Sequence, residues 1–372
     1  MRISCAGEGR HGPPLSFVLP HLVALLLALG GVAPAWGAAG FFARLESFNY
    51  SEPVSLDDAL NGWQGRFRGG ERQWSSQWLE AGYRRHDWSL SALYRRDYWL
   101  DFSRDSAELY YRTGQRLPLQ AGRRYAVDIR AYGFSARGVR GGWRQRPLPG
   151  LSLAWGLSLF NAGELLDGRL HGQATALAAN DYAYDVSVDY AYDRDRLFER
   201  QAAAPGGQGL SLDLRAVYSP SPRLTLRAKV IDLLGAIRWR DAPYTRATAV
   251  SDRQGFDDAG YIIVKPAISG VEGYHSRYLQ RLEPRLHLAL ESAVSDRLTA
   301  SLHYRYQYGQ SLLGLGASTP WRQGVMAARV WPTVSALGLS VRRGRFDVGV
   351  TLDGVRLGEL RTFWLSVAIN AR

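Results

Sequence analysis

The chain has 372 residues and a formal net charge of +12, with 40 Gly, 20 Tyr, 12 Trp and a single cysteine, Cys5. One thiol at the extreme start excludes disulfides, iron–sulfur ligation and cysteine catalysis in the body of the chain. The positive charge is carried by arginine, since Lys229 and Lys265 are the only lysines. It is interleaved with acids along the whole length, which argues against a nucleic-acid surface.

Arg2 and Arg10 precede an apolar stretch over residues 15–32, and the small residues Ala33, Ala35, Gly37 and Ala38 follow. This layout predicts a secretory signal peptide over residues 1–37 and a single folded domain over residues 38–372. Residues 38–73 then hold an N-terminal segment with a first strand at residues 41–48. From residue 74 onward apolar and polar side chains alternate with period two, which predicts strands. Leu79, Ala81 and Tyr83 oppose Glu80 and Arg84; Leu90, Ala92 and Tyr94 oppose Ser91, Arg95 and Asp97. The same reading applies at residues 124–132, 151–159, 210–216, 224–230, 298–306 and 362–370. The cleanest case is residues 182–193, where Tyr182, Tyr184, Val186, Val188, Tyr190 and Tyr192 share one face. Asp185, Ser187 and Asp189 lie on the other.

Connectors fall into two sets. The short ones are residues 85–87, 147–150, 177–180, 219–221, 292–296 and 343–344. The longer, more polar ones are residues 100–106, 162–167, 194–208, 237–282, 310–322 and 354–359. The two sets largely alternate, so one end of the strand array carries tight turns and the other carries loops. The outward parity changes between Val330 and Leu337, across Pro332, and a bulge is the expected cause because proline lacks an amide donor.

This architecture resembles the outer-membrane β-barrel proteins of Gram-negative bacteria, and more loosely the porins. The end of the chain, Ile369-Asn370-Ala371-Arg372, departs from the terminal aromatic common in that class. The resemblance implies an all-β, antiparallel transmembrane barrel, with short periplasmic turns and longer extracellular loops. Strands of roughly ten residues fit the chain length with about sixteen of them. It also implies an outer-membrane location, contact with outer-membrane lipid and lipopolysaccharide, help from the barrel-insertion machinery, and a possible homo-oligomer.

With the apolar faces toward lipid, the wet lumen receives Arg84, Arg124, Arg130, Arg169, Arg215 and Arg227. Lys229, Arg285, Arg305, Asp185 and Asp189 join them as selectivity candidates. A basic excess favours anionic solutes. Asp185 and Asp189 are expected between strands bearing Arg169 and Arg215, where pairing across the wall would cancel part of the field. The long connection at residues 237–282 contains Arg246, Asp252, Arg253, Asp257 and Asp258. It reads either as a constriction folded into the lumen or as a projecting hairpin.

The expected function is a porin-like channel for passive passage of small hydrophilic solutes, anions among them. The alternative is a non-transporting barrel that anchors a surface or periplasmic partner, its lumen closed by charge pairs and loops. A barrel hydrolase is the third reading, resting on His275-Ser276 and on His287 and His303 near Glu291. No metal motif or phosphate loop is present in the sequence, so no cofactor is indicated and the chain reads as a non-enzyme.

Overall fold

The period-two segments pair antiparallel into a wall that closes on itself. The computed structural model describes residues 39–256 and 262–370. The first strand, β1 (Ala39–Ser51), pairs with β2 (Arg72–Arg85) on one edge. On its other edge it pairs with the last strand, β18 (Thr362–Ile369), Ala43 facing Ile369 and Tyr50 facing Thr362. Between them run β3 (Trp88–Phe102), β4 (Arg124–Leu148), β5 (Leu151–Ala178), β7 (Gly206–Ser221) and β8 (Leu224–Arg240). The wall continues through β12 (Arg285–Ser295), β13 (Leu298–Gln307), β14 (Gln310–Trp321), β15 (Gly324–Trp331), β16 (Ala336–Arg343) and β17 (Phe346–Leu352). These are 14 barrel strands. Four more lie outside the ring: β6 (Asp181–Tyr192), β9 (Ala242–Phe256), β10 (Ile262–His275) and β11 (Tyr278–Arg281).

The expected count of about sixteen barrel strands is therefore corrected: fourteen close the ring. The segment with the cleanest alternation is one of the four that do not close the ring. β6 pairs with the far half of β5 and with β9, and Val188, Tyr190 and Tyr192 are buried against Leu166, Leu170, Leu197 and Phe198. A strand with one face packed on protein writes the same period-two pattern as one facing lipid. The connector at residues 177–180 accordingly lies at the loop end, where β5 turns into β6. Residues 162–167 are continuous strand, with a bulge at Glu164, whose φ is 54°. Residues 310–322 mostly form β14; the reversal before them is a two-residue turn, Tyr308 (φ 50°) and Gly309 (φ 71°). Positive φ at both positions suits the tight turn whose twist matches flanking strands. The parity change across Pro332 is a chain reversal rather than a bulge: Pro332–Val334 form a 3-10 turn between β15 and β16.

The asymmetry between the two ends holds. At one end, residues 86–87, 149–150, 222–223, 296–297, 322–323 and 344–345 are tight turns between wall strands. The other end carries α1 (Leu56–Leu60) and α2 (Arg104–Gly114), N-capped by Ser55 and Ser103, and the strands outside the ring. The wall is also lopsided. β5 has 28 residues against 7 in β17, roughly 95 Å against 24 Å of strand at about 3.4 Å per residue. The far halves of β4 and β5 therefore rise above the ring and extend into a sheet with β6, β9 and β10.

Outward side chains of the ring form an exposed apolar girdle, including Leu90, Val139, Leu159, Leu302, Leu315, Leu339 and Val348. Aromatic residues sit near the tight-turn end: Trp88 stacks on Trp143 with centroids 5.6 Å apart, and Phe41 meets Tyr83 at 5.3 Å.

Candidate functional site

The lumen is divided in two by a layer of charged side chains. Arg95 and Asp97 sit two residues apart on β3 and so share its inward face. Asp232 comes from β8 and Arg285 from the first position of β12. Arg95 grips Asp232 bidentately, Nη1 to Oδ1 at 2.7 Å and Nη2 to Oδ2 at 2.6 Å, and its Nε donates to Asp97. Arg285 donates through Nη1 to Asp97 Oδ1 (3.1 Å), Ser76 Oγ (2.9 Å) and Tyr308 OH (3.1 Å). Its Nη2 lies 3.4 Å from Asp232 Oδ2. Tyr308 donates to Asp97 Oδ1 at 2.7 Å and Ser211 to Asp232 Oδ1 at 2.6 Å. The four charged side chains are at most 5% exposed. Two acids against two guanidinium groups, with hydrogen bonds on nearly every oxygen, is the condition under which buried charge is tolerated.

Asp232 is placed by a break in β8. Below it, Leu224–Ile231 pair with β12; above it, Ala236–Trp239 pair with β11. At the junction Asp232 takes φ 56°, and its amide leaves the ladder to donate to Asp213 Oδ1 at 2.8 Å. Aspartate tolerates this left-handed conformation better than the aliphatic residues beside it. Asp213 in turn accepts from Arg140, which also reaches Ser158 at 3.0 Å and Glu80 at 3.7 Å. Rings complete the closure. The Arg95 guanidinium lies 5.0 Å from the Phe134 ring centre, and Tyr50, Trp74, Trp331, Trp364 and Tyr308 form one buried cluster.

On the tight-turn side of the charged layer lies an open chamber of about 930 Å³, which shares Glu46, Phe48 and His287 with a small cavity that Arg285 lines. Ten cationic and five acidic side chains line the chamber. Arg227 meets Glu291 at 3.0 Å, Lys229 meets Glu46 at 3.8 Å, and Arg342 meets Asp347 at 3.1 Å. Among the described residues, Arg84, Arg144, Arg215, Arg305 and Arg329 have no carboxylate at ion-pair distance. Arg305 is instead caged by the rings of Phe48, Trp331 and Trp364 at 4.5, 5.3 and 5.6 Å.

Of the residues singled out from the sequence, Arg84, Arg215, Arg227, Lys229 and Arg305 line this chamber, and Arg285 belongs to the layer above it. Arg124, Arg130 and Arg169 do not reach the chamber. They lie in the far halves of β4 and β5, where Arg169 pairs with Asp128 at 2.7 Å. Asp185 and Asp189 are on β6, which adjoins the Arg169-bearing β5 on one edge, Asp189 facing Arg169, but β9 and not the Arg215-bearing β7 on the other; Asp189 bonds Arg246 at 2.9 Å. Arg246 is on β9, and the described part of the long connection pairs as a hairpin with β6 outside the ring and does not line the chamber. Asp252 and Arg253 continue the β9 backbone, and Asp257 and Asp258 lie outside the described residues. His275 is stacked beside Tyr244 in the projecting sheet at 4.2 Å, away from His287 and His303 in the chamber wall.

Sequence reasoning left Asp232 out of the site. A signal was available, since Asp232 is the one charge in the apolar run Val230-Ile231-Asp232-Leu233-Leu234, and a lone carboxylate there requires a partner. Arg44 and Arg329 of the chamber were likewise not singled out.

No protein-family model and no curated protein sequence matches this chain. Among solved structures it is similar to the "CymD monoaromatic hydrocarbon channel", at 8% identity over 89% of this chain and 87% of that one, TM-score 0.42. It is also similar to the P. putida toluene transporter TodX, at 9% identity over 91% of each chain, TM-score 0.41. Salmonella typhi OmpF is more distant, at 8% identity over 89% of this chain and 96% of that one, TM-score 0.19.

Proposed function

We propose that this chain is an outer-membrane channel whose lumen is held shut by its own side chains and whose periplasmic half is an anion-collecting chamber. The exposed apolar girdle lies in the bilayer, the tight turns face the periplasm, and the loops with their extra sheet stand at the cell surface. The observation that carries this reading is the basic chamber with a layer of four balanced, buried charges beyond it in the lumen. Passive flow of hydrophilic solutes requires that layer to part, so the barrel opens rarely rather than standing open as a general porin does. Single-channel recording of the full chain in planar bilayers under a salt gradient tests it. Brief openings with a reversal potential displaced to the anion side are expected; openings selective for cations would refute the role of the chamber.

The second reading, a barrel that anchors a partner and never conducts, is favoured by the same closure together with the projecting β6, β9 and β10 sheet. It predicts an inserted barrel, with different gel mobility before and after boiling, that stays silent at every voltage.

A further inference from the structure

Five guanidinium groups from five different strands converge in the periplasmic half of the chamber. Arg44 comes from β1, Arg84 from β2, Arg144 from β4, Arg215 from β7 and Arg227 from β8. Arg215 stands in the repulsive field of the other four, and Arg84 in that of Arg144 and Arg44, relieved in part by Glu80. Their acidic company is thin. Arg44 has Glu46 at 3.8 Å, which Lys229 shares at the same distance, and Arg227 has Glu291. Among the described residues, Arg84, Arg144 and Arg215 have no carboxylate at ion-pair distance.

What sets this arrangement apart is convergence, five guanidinium groups from separate strands facing one chamber. Above the ring some charges are paired, as Arg169 is with Asp128 and Arg123 with Glu108, others such as Arg124 and Arg130 stand singly on the exposed surface, and those in the dividing layer are balanced. A polar wall that needed only to be wet would intersperse acids in the same way, because unrelieved like charge across neighbouring strands is destabilising. A cluster kept against that cost is complementary to something absent from the chain itself. A single monovalent anion engages one or two guanidinium forks, whereas a ligand with several anionic groups can satisfy all of them at once.

We infer that the chamber is a binding site for a compact polyanion, a solute with two or more phosphate or carboxylate groups, held by Arg84, Arg144 and Arg215 with Arg44 and Arg227 beside them. This rests on the reading of the chamber as the periplasmic mouth of the channel and names the class of solute it takes. The aromatic rings at the chamber floor are occupied by Arg305, so the recognition is ionic and not by stacking.

The test is calorimetric titration of the full chain, folded in detergent micelles and retaining its unboiled gel mobility, at low ionic strength. The probes are tripolyphosphate, citrate and orthophosphate. Saturable one-to-one binding of tripolyphosphate or citrate is expected, with orthophosphate weaker by roughly tenfold or more. The tighter of the two identifies phosphate or carboxylate as the preferred group. The double variant Arg144→Gln, Arg215→Gln should lose roughly tenfold or more in affinity, and Arg169→Gln should lose none. The same double variant should raise the temperature at which the empty barrel loses its compact gel mobility, because repulsion is relieved. It should also abolish the further rise that polyanion produces in the unaltered protein. Absence of binding, unchanged affinity in the double variant, or a less stable empty barrel would each overturn the proposal. Binding to a barrel that never conducts keeps this site and removes the channel; conduction without binding does the reverse.

Discussion

Replacing Arg285 by Met removes one of the two cations of the dividing layer while keeping most of its volume. The guanidinium it deletes bonds Asp97, Ser76 and Tyr308 and stands beside Asp232. Arg95 alone then faces two carboxylates that are at most 1% exposed. Breaking a buried pair by removing one partner costs about 3–5 kcal/mol, most of it the penalty of the charge left behind. The backbone ladders of the wall are untouched by the change. The closed layer therefore bears the loss, and admitting water is the way to relieve it. An energy of that size shifts a closed-to-open ratio by roughly two to three and a half decades. A barrel open for about a thousandth of the time would then be open for roughly a tenth or more.

Planar-bilayer recording reads this as frequent openings in Arg285→Met against rare ones in the unaltered protein. Adding Asp97→Asn should restore closure, because the bidentate Arg95–Asp232 pair is then left in balance. Two results would refute the reasoning. An Arg285→Met barrel that inserts, shifts on boiling and stays silent would show that the layer is not the gate. A double variant as open as the single would show that lost packing, and not unbalanced charge, opens the lumen.

Three further outcomes are expected. Leu302 lies at the middle of β13 on the exposed girdle, so Leu302→Arg should lower the stability of the barrel in vesicles by about 2–4 kcal/mol; an unchanged urea midpoint removes lipid from that face. Excising residues 248–269 from the β9–β10 hairpin should leave the conductance of the Arg285→Met barrel unchanged, since the hairpin pairs with β6 outside the ring. A larger conductance would put it in the lumen. Glu108 on α2 is pulled two ways: burial raises its pKa, but hydrogen bonds from Arg112 and Arg123 outweigh this and hold it below the usual carboxylate range. Its contribution is thus fully present above the unfolded value of about 4.3 and is lost as pH falls through the lower folded value. Amide exchange in α2, corrected for intrinsic rates, should rise in that acid window, and Glu108→Gln should flatten the dependence.

The strand class, the closed sheet and the unequal ends were legible because each follows from period and spacing. Alternation marks a strand with one buried face, and two-residue connections such as Pro149 and Gly150 force antiparallel neighbours. What alternation leaves open is the material on the apolar side. Tyr182, Tyr184 and Val186 read as lipid-facing on parity, yet they pack against Leu119, Tyr125 and Ala174 above the ring. The same limit governs the site. Arg84, Arg215, Arg227, Lys229 and Arg305 line the chamber, but parity sets the face and not the height. Arg124, Arg130 and Arg169 share that parity on strands that continue beyond the ring. Asp232 escaped because its left-handed backbone breaks the alternation at that point.

Chamber and gate meet at Arg140. It lines the chamber, yet its Nη1 donates to Asp213, which fixes the amide of Asp232 and with it the left-handed turn that aims this carboxylate at Arg95. A polyanion bound among the neighbouring guanidinium groups competes for Arg140. Each bond it draws from Asp213 leaves a buried acid less compensated and loosens the turn that positions Asp232. Occupancy of the chamber should therefore favour the open layer. Linkage makes the converse hold by the same factor: a barrel already biased open must bind the ligand more tightly. Arg285→Met should accordingly show higher tripolyphosphate affinity than the unaltered protein in calorimetry, and Arg140→Gln should remove the difference. Equal affinities for the closed and opened barrels would separate the two halves of the lumen, leaving the anion site without influence on the gate.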